Sequence, residues 1–129
     1  MKNHKGILVI ESDHDTRVKV RQALEKEGYS VSSVTNVTGA FDLLLKNSTK
    51  GTAKSVLIGL IIFGMSLPFM DSSEFLNTTS VDPLMSSIPI VVVAESDEKV
   101  AASVAGVLRR PLQVSTLVAL VRGILSSEA

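Results

Sequence analysis

The chain predicts a three-layer α/β sandwich around a parallel sheet, and three observations carry that prediction. Ile7 to Ile10, Leu60 to Phe63 and Ile88 to Ala94 are continuous apolar runs, as strands covered on both faces require; a sheet with one wet face would show alternation instead. Between and after these runs the apolar spacing returns to the helical period, so that strand and helix alternate five times. The length of 129 residues suits a single domain, 1–129, with about two-thirds of its chain surface buried on folding. No internal repeat is present.

The first run is ended by Glu11-Ser12-Asp13, after which Val20, Ala23 and Leu24 follow helical spacing and Arg17, Lys19, Arg21, Glu25 and Lys26 cover the opposite face. Asp13 can cap the first turn of this helix and Gly28 can end the last. Tyr29 to Thr35 alternates loosely and predicts a short strand with one weakly apolar face. Asn36 to Lys46 returns to helical spacing through Ala40, Leu43 and Leu44, and the Ser/Thr/Lys/Gly-rich stretch from Asn47 to Ser55 predicts a loop.

The most apolar stretch follows, Val56 to Asp71. It is uncharged from Ser55 through Met70, but it falls short of the ~20 residues of a membrane span and contains two glycines and a proline, so it predicts a buried strand broken at Gly64. Asp71-Ser72-Ser73-Glu74 has capping-box spacing and predicts a helix start that carries Phe75 and Leu76 inward, closed by Asp82-Pro83. In the third run Pro89 fits only the first strand position. Ser96-Asp97-Glu98 predicts a short helix that Gly106 can end, and Val107-Leu108 one more brief strand before Arg109-Arg110-Pro111. Val114, Leu117, Val118, Val121, Ile124 and Leu125 define a final amphipathic helix.

Composition excludes several functions. Lys plus Arg and Asp plus Glu number 13 each, so no net field draws the chain to nucleic acid or to an anionic membrane. The absence of cysteine excludes a disulfide framework, thiolate metal sites and thiol catalysis, and is consistent with a reducing, cytoplasmic setting. The apolar run after Gly6 is too short for a signal-peptide core.

Four segments, in order, resemble a response-regulator receiver domain of the CheY-like family, from Gly6 to Leu125. They are Ile7-Leu-Val-Ile-Glu-Ser-Asp13; Glu25-Lys-Glu-Gly-Tyr29; Ser66-Leu-Pro-Phe-Met-Asp71 with Glu74-Phe75-Leu76; and Ile88-Pro89 with Arg110-Pro111. The resemblance implies a flavodoxin-like, five-stranded parallel sheet of order 2-1-3-4-5. It also implies a chemistry, phosphoryl transfer to an Asp at the end of the third strand. There an acidic pair helps to hold Mg²⁺, and a hydroxyl and a lysine bind the transferred group.

Carried onto this sequence, the acidic pair falls on Glu11 and Ser12, with Asp13 beside it. The nucleophile falls on Gly64, the hydroxyl on Ala94 and the lysine on Arg110. The aromatic residue of the fifth strand has no counterpart, Val107 being the nearest match. Losses at coupled positions imply a degenerate receiver with a vestigial pocket, neither an enzyme nor a holder of a metal or other cofactor. It is expected to signal in a two-component or phosphorelay pathway through a protein partner or a second copy, without phosphorylation. The rival expectation is a small-anion or ligand sensor that uses the vacated pocket near Arg110.

Glu11 is expected to pair with Arg110 rather than bind a cation, Asp13 to cap its helix rather than act as a ligand, and Asp71 to cap rather than accept a phosphoryl group. His14 lacks a neighbouring base, and Ser66 lacks a histidine to activate it. Met65, Met70 and Met85 read as apolar filler. The Arg110-Pro111 bond is expected to be cis, as the corresponding bond is in the family. The interaction face is expected to gather Val107, Leu120 and Arg122, with Leu120 lying off the core stripe and exposed to solvent.

Overall fold

In a computed structural model of the chain, the described residues are 6–50, 58–64, 88–95 and 104–127, with side chains described at 6–43, 58–64, 88–95 and 104–126. Five strands, β1 (Gly6–Ile10), β2 (Val31–Val34), β3 (Ile58–Gly64), β4 (Ile90–Ala94) and β5 (Gly106–Arg109), form one sheet of order β2-β1-β3-β4-β5. Every pairing is parallel. The described helices are α1 (His14–Lys26), α2 (Val37–Lys50) and α3 (Val114–Ser127).

The expected fold class and strand order both hold. The three continuous apolar runs are the three inner strands: β1 and β4 are buried throughout, and β3 from Gly59 onward. The two weakly apolar segments are the edges, β2 and β5, which have only one neighbour each and are part exposed. Pro89 stands just before β4, where its carbonyl accepts the Ile61 amide at 3.0 Å and its missing N–H costs no ladder bond.

Alternation across the pleat divides the core into two layers. Ile7, Val9, Leu60, Ile62, Val91, Val93 and Leu108 face α1 and α3, where they meet Val20, Leu24, Leu117 and Val121. Leu8, Ile10, Ile61, Phe63, Ile90, Val92 and Ala94 face the opposite way, onto Val37 and Ala40 of α2. Burial of each such large side chain is worth about 1.5–3 kcal/mol, which is why both faces must be covered.

The helix ends are local chemistry. Asp13 caps α1, its carboxylate accepting the Thr16 amide at 2.9 Å and the Thr16 hydroxyl at 2.7 Å. Gly28, just past the other end, takes φ of 96°, a left-handed conformation that favours glycine. Asn36 accepts the Gly39 amide at 2.8 Å in the first turn of α2.

Several expectations are corrected. α2 continues through Asn47 to Lys50, residues expected to lie in a loop. Gly106 does not end a helix; it is the first residue of β5. Val114, placed on the core stripe by its spacing, is 41% exposed, because it is the first residue of α3, and Leu112 before it is buried instead. The expectations for Ser66, Met65, Met70, Asp71, Glu74, Met85 and Asp82-Pro83, and for a helix at Ser96, lie outside the described residues. Among the described residues, no helix is long and apolar enough to cross a membrane.

Candidate functional site

In a parallel sheet all strands end on the same edge, and here that edge brings together Glu11, Gly64, Ala94 and Arg110. β1 and β3 run in register with Ile10 beside Phe63, so the next residues, Glu11 and Gly64, fall side by side. β4 and β5 pair Ala94 with Arg109, and the Arg110 amide donates to the Ala94 carbonyl at 2.9 Å. The Arg110-Pro111 peptide bond is cis, as expected.

Among the described residues, Glu11 is the one charged residue buried in the core, with 3% of its surface exposed. Its Oε1 accepts from Arg110 Nη2 at 3.1 Å and its Oε2 from the Asp13 backbone N–H at 3.1 Å. The expected ion pair is therefore present. A buried carboxylate without such partners would be strongly disfavoured, and the guanidinium together with the amide supplies what desolvation removes.

Arg110 does more than meet Glu11. Its Nε lies 3.1 Å from the Glu95 carboxylate, and its Nη1 donates to the Thr16 hydroxyl at 3.3 Å. One guanidinium thus joins the ends of β1 and β4 and the first turn of α1. Arg17 adds a second tie, Nη1 donating to the Glu11 carbonyl at 3.0 Å. Sequence reasoning missed Glu95, Thr16 and Arg17. Glu95 carried a usable signal, since a carboxylate directly after a buried strand sits on the edge where the other strand ends converge.

At Gly64 the geometry is decisive. A β-carbon there would run into Glu11 Oε1 and stand 2.9 Å from Glu11 Cδ and 3.2 Å from Oε2. The Glu11 carboxylate occupies the space in which a side chain at position 64 would begin. Ala94 is fully buried in the α2-side core and offers only a methyl group. Ser12 is exposed, and its carbonyl lies at the limit of reach of Arg17.

Asp13 directs its carboxylate to Thr16, whose hydroxyl also accepts from Arg110. The hydrogen bonds from the Thr16 side chain and backbone hold its carboxyl below the usual carboxylate range, and the nearby Arg110 charge acts in the same direction. His14 is exposed at the start of α1, its Nδ1 3.2 Å from Arg17 Nη2.

These donors do not suit the Mg²⁺ of the receiver reaction. Glu11 is committed to Arg110, Asp13 to its helix, and positions 12 and 64 supply no carboxylate. Among the described residues no group of three His, Cys, Asp or Glu is placed to hold a metal ion.

Of the residues expected to form an interaction face, Val107 lies on the edge strand β5, and Leu120 and Arg122 lie on α3. Val107 is 36% exposed and is directed to the sheet face opposite Leu108. Leu120 is part buried against the α3-side core, where it lies over Gly106. Arg122 pairs with Glu27 beyond the end of α1. The expectation of an exposed Leu120 is thus overturned: a glycine at 106 leaves a gap on β5, and the leucine fills it.

No family model matches the chain, and no curated protein does. Solved structures do. A protein described as a response regulator from Chloroflexus aurantiacus superimposes with a TM-score of 0.81 at 21% identity, over 95% of this chain and 98% of that one. The signal receiver domain of a signal transduction histidine kinase from Syntrophus aciditrophicus gives 0.80 at 20% identity, over 95% and 91%. The chemotaxis response regulator CheY4 of Vibrio cholerae gives 0.74 at 19% identity, over 94% and 98%. With a sheet of order 2-1-3-4-5 and likeness along nearly the whole length of these domains, the chain has the fold of a response-regulator receiver domain.

Proposed function

We propose that the chain is a degenerate receiver, a module of two-component or phosphorelay signalling that acts through a protein partner without being phosphorylated and without catalysing a reaction. The observation that carries this reading is the Glu11 carboxylate standing where a side chain at position 64 would begin, paired there with Arg110. A glycine has no nucleophile, and the space for one is filled. The neighbouring losses agree: a methyl group at Ala94 cannot donate to a phosphoryl oxygen, and Ser12 cannot help to hold a cation. A balanced net charge favours a protein partner, or a second copy, over nucleic acid or a membrane surface.

The anion-sensor alternative has less support. Arg110 would have to receive the ligand, and its guanidinium already meets Glu11, Glu95 and Thr16.

The test is incubation of the chain with a small phosphodonor and Mg²⁺, followed by intact mass measurement under conditions that preserve acyl phosphates. The expected result is no change. A gain of one phosphoryl group, mapped to any carboxylate, would overturn the reading.

A further inference from the structure

We infer that Glu11 is a built-in anionic ligand of Arg110, holding the place that an external oxyanion would otherwise take on the guanidinium, and that glycine at position 64 is what admits it there. The inference rests on the reading above, in which the pocket carries no phosphoryl group.

A guanidinium presents a planar fork of N–H groups that donates in the same geometry to carboxylate, phosphate and sulfate oxygens. Of the two carboxylates on Arg110, Glu95 has a 55% exposed side chain, so water competes for it and screens it. Glu11 is different. Its side chain is 4% exposed, and the Asp13 amide fixes its second oxygen from the backbone side. It is thus already desolvated and oriented, which gives it an advantage over any ligand arriving from solution. Arg110 itself keeps 21% of its side chain exposed, so the fork is within reach of solvent once Glu11 is gone.

Gly64 makes the arrangement possible. With a β-carbon at 64 standing 2.9 Å from Glu11 Cδ, the carboxylate must leave its seat. Positions 11 and 64 therefore share one volume. Loss of the Glu11 carboxylate, or its eviction from position 64, opens the Arg110 fork to a free oxyanion. Glu95 and Asp13 remain nearby and oppose a second negative charge, so binding is expected on the order of millimolar rather than tighter.

The experiment compares the full chain with Glu11→Ala, the isosteric Glu11→Gln, and Gly64→Ala, which leaves both residues of the ion pair unmutated and acts through its added β-carbon. Each is titrated with inorganic phosphate and with sulfate, without divalent metal, while the Arg110 Nε–H signal is followed by ¹⁵N NMR. Sodium chloride at matched ionic strength is the control. The expected result is no saturable shift in the wild type, and saturable shifts in the variants with affinity at least about tenfold tighter. Wild-type binding as tight as that of the variants would overturn the inference. So would variants with native-like dispersed spectra whose Arg110 signal does not move, or an equal response to chloride. If Glu11→Ala does not fold, Gly64→Ala and Glu11→Gln decide. Reversible binding of phosphate here is distinct from covalent labelling by a phosphodonor, so failure of this inference and failure of the functional reading are separate results.

Discussion

Leu120 lies across Gly106, with its Cδ2 2.9 Å and its Cδ1 3.1 Å from the point where a β-carbon on residue 106 would stand. The contact joins the last helix to the edge strand β5, beside the buried pair Leu117 and Val121. Leu120→Glu would place a charge on that apolar seam. The variant is expected to lose about 1–2 kcal/mol of stability, roughly half the cost of truncating a fully buried leucine, because Leu120 is only part buried. Urea unfolding measures it. A variant as stable as the wild type would mean that Leu120 does not contribute to the fold.

Gly64→Asp is not expected to restore phosphorylation. Its β-carbon would displace the Glu11 carboxylate, and its own carboxylate would stand beside that of Glu11, with Ser12 and Ala94 still lacking the groups that meet the transferred charge. Overpacking and like-charge repulsion together should lower stability by about 1–3 kcal/mol. Mass measurement after exposure to a phosphodonor and Mg²⁺, alongside urea unfolding, reports both effects; efficient labelling of the single variant would contradict the first.

The Glu11–Arg110 pair should be strongly coupled. Arg110→Met leaves a buried carboxylate held, among the described residues, by the Asp13 amide alone, and is expected to cost about 3 kcal/mol. Glu11→Gln with Arg110→Met removes both charges and should recover part of that loss. A double-mutant cycle on unfolding free energies is expected to give a coupling of about 1–3 kcal/mol, and a value near zero would show that the pair is incidental.

Asp13 gives a pH signature. Its carboxyl is held below the usual range in the folded chain by the Thr16 hydrogen bonds, while in the unfolded chain it titrates normally. Its contribution to stability is therefore fully present above the unfolded value and lost as pH falls through the lower, folded one. Asp13→Ala should be less stable than the wild type at neutral pH, and the two unfolding curves should converge as the solution becomes acidic. Asp13→Ser should keep most of the wild-type stability at neutral pH, because a hydroxyl can also accept the Thr16 amide. A gap that stays constant with pH would remove Asp13 as its source.

How much of this was legible beforehand depended on how local the cause is. The sheet was legible because burial on both faces writes itself into single segments: Ile7 to Ile10 or Ile90 to Ala94 can be read without knowing what covers them. Caps were legible for the same reason, since Asp13 reaches only to Thr16. The Glu11–Arg110 pair and the cis bond before Pro111 were legible through the family resemblance, which places distant positions beside one another.

What only the tertiary structure decided involves volumes shared by residues far apart in the chain. Helical spacing put Leu120 off the stripe and Val114 on it, but spacing cannot see that Gly106, on a neighbouring strand, leaves a gap for one while the other begins the helix and meets solvent. Position 64 showed a missing nucleophile in the sequence. That its space belongs to the Glu11 carboxylate, and that Glu95 and Thr16 complete the shell of Arg110, depends on strand register and on the curl of the chain into α1. A one-dimensional pattern records which residues want burial or a partner; only the folded chain determines which two of them compete for the same few ångströms.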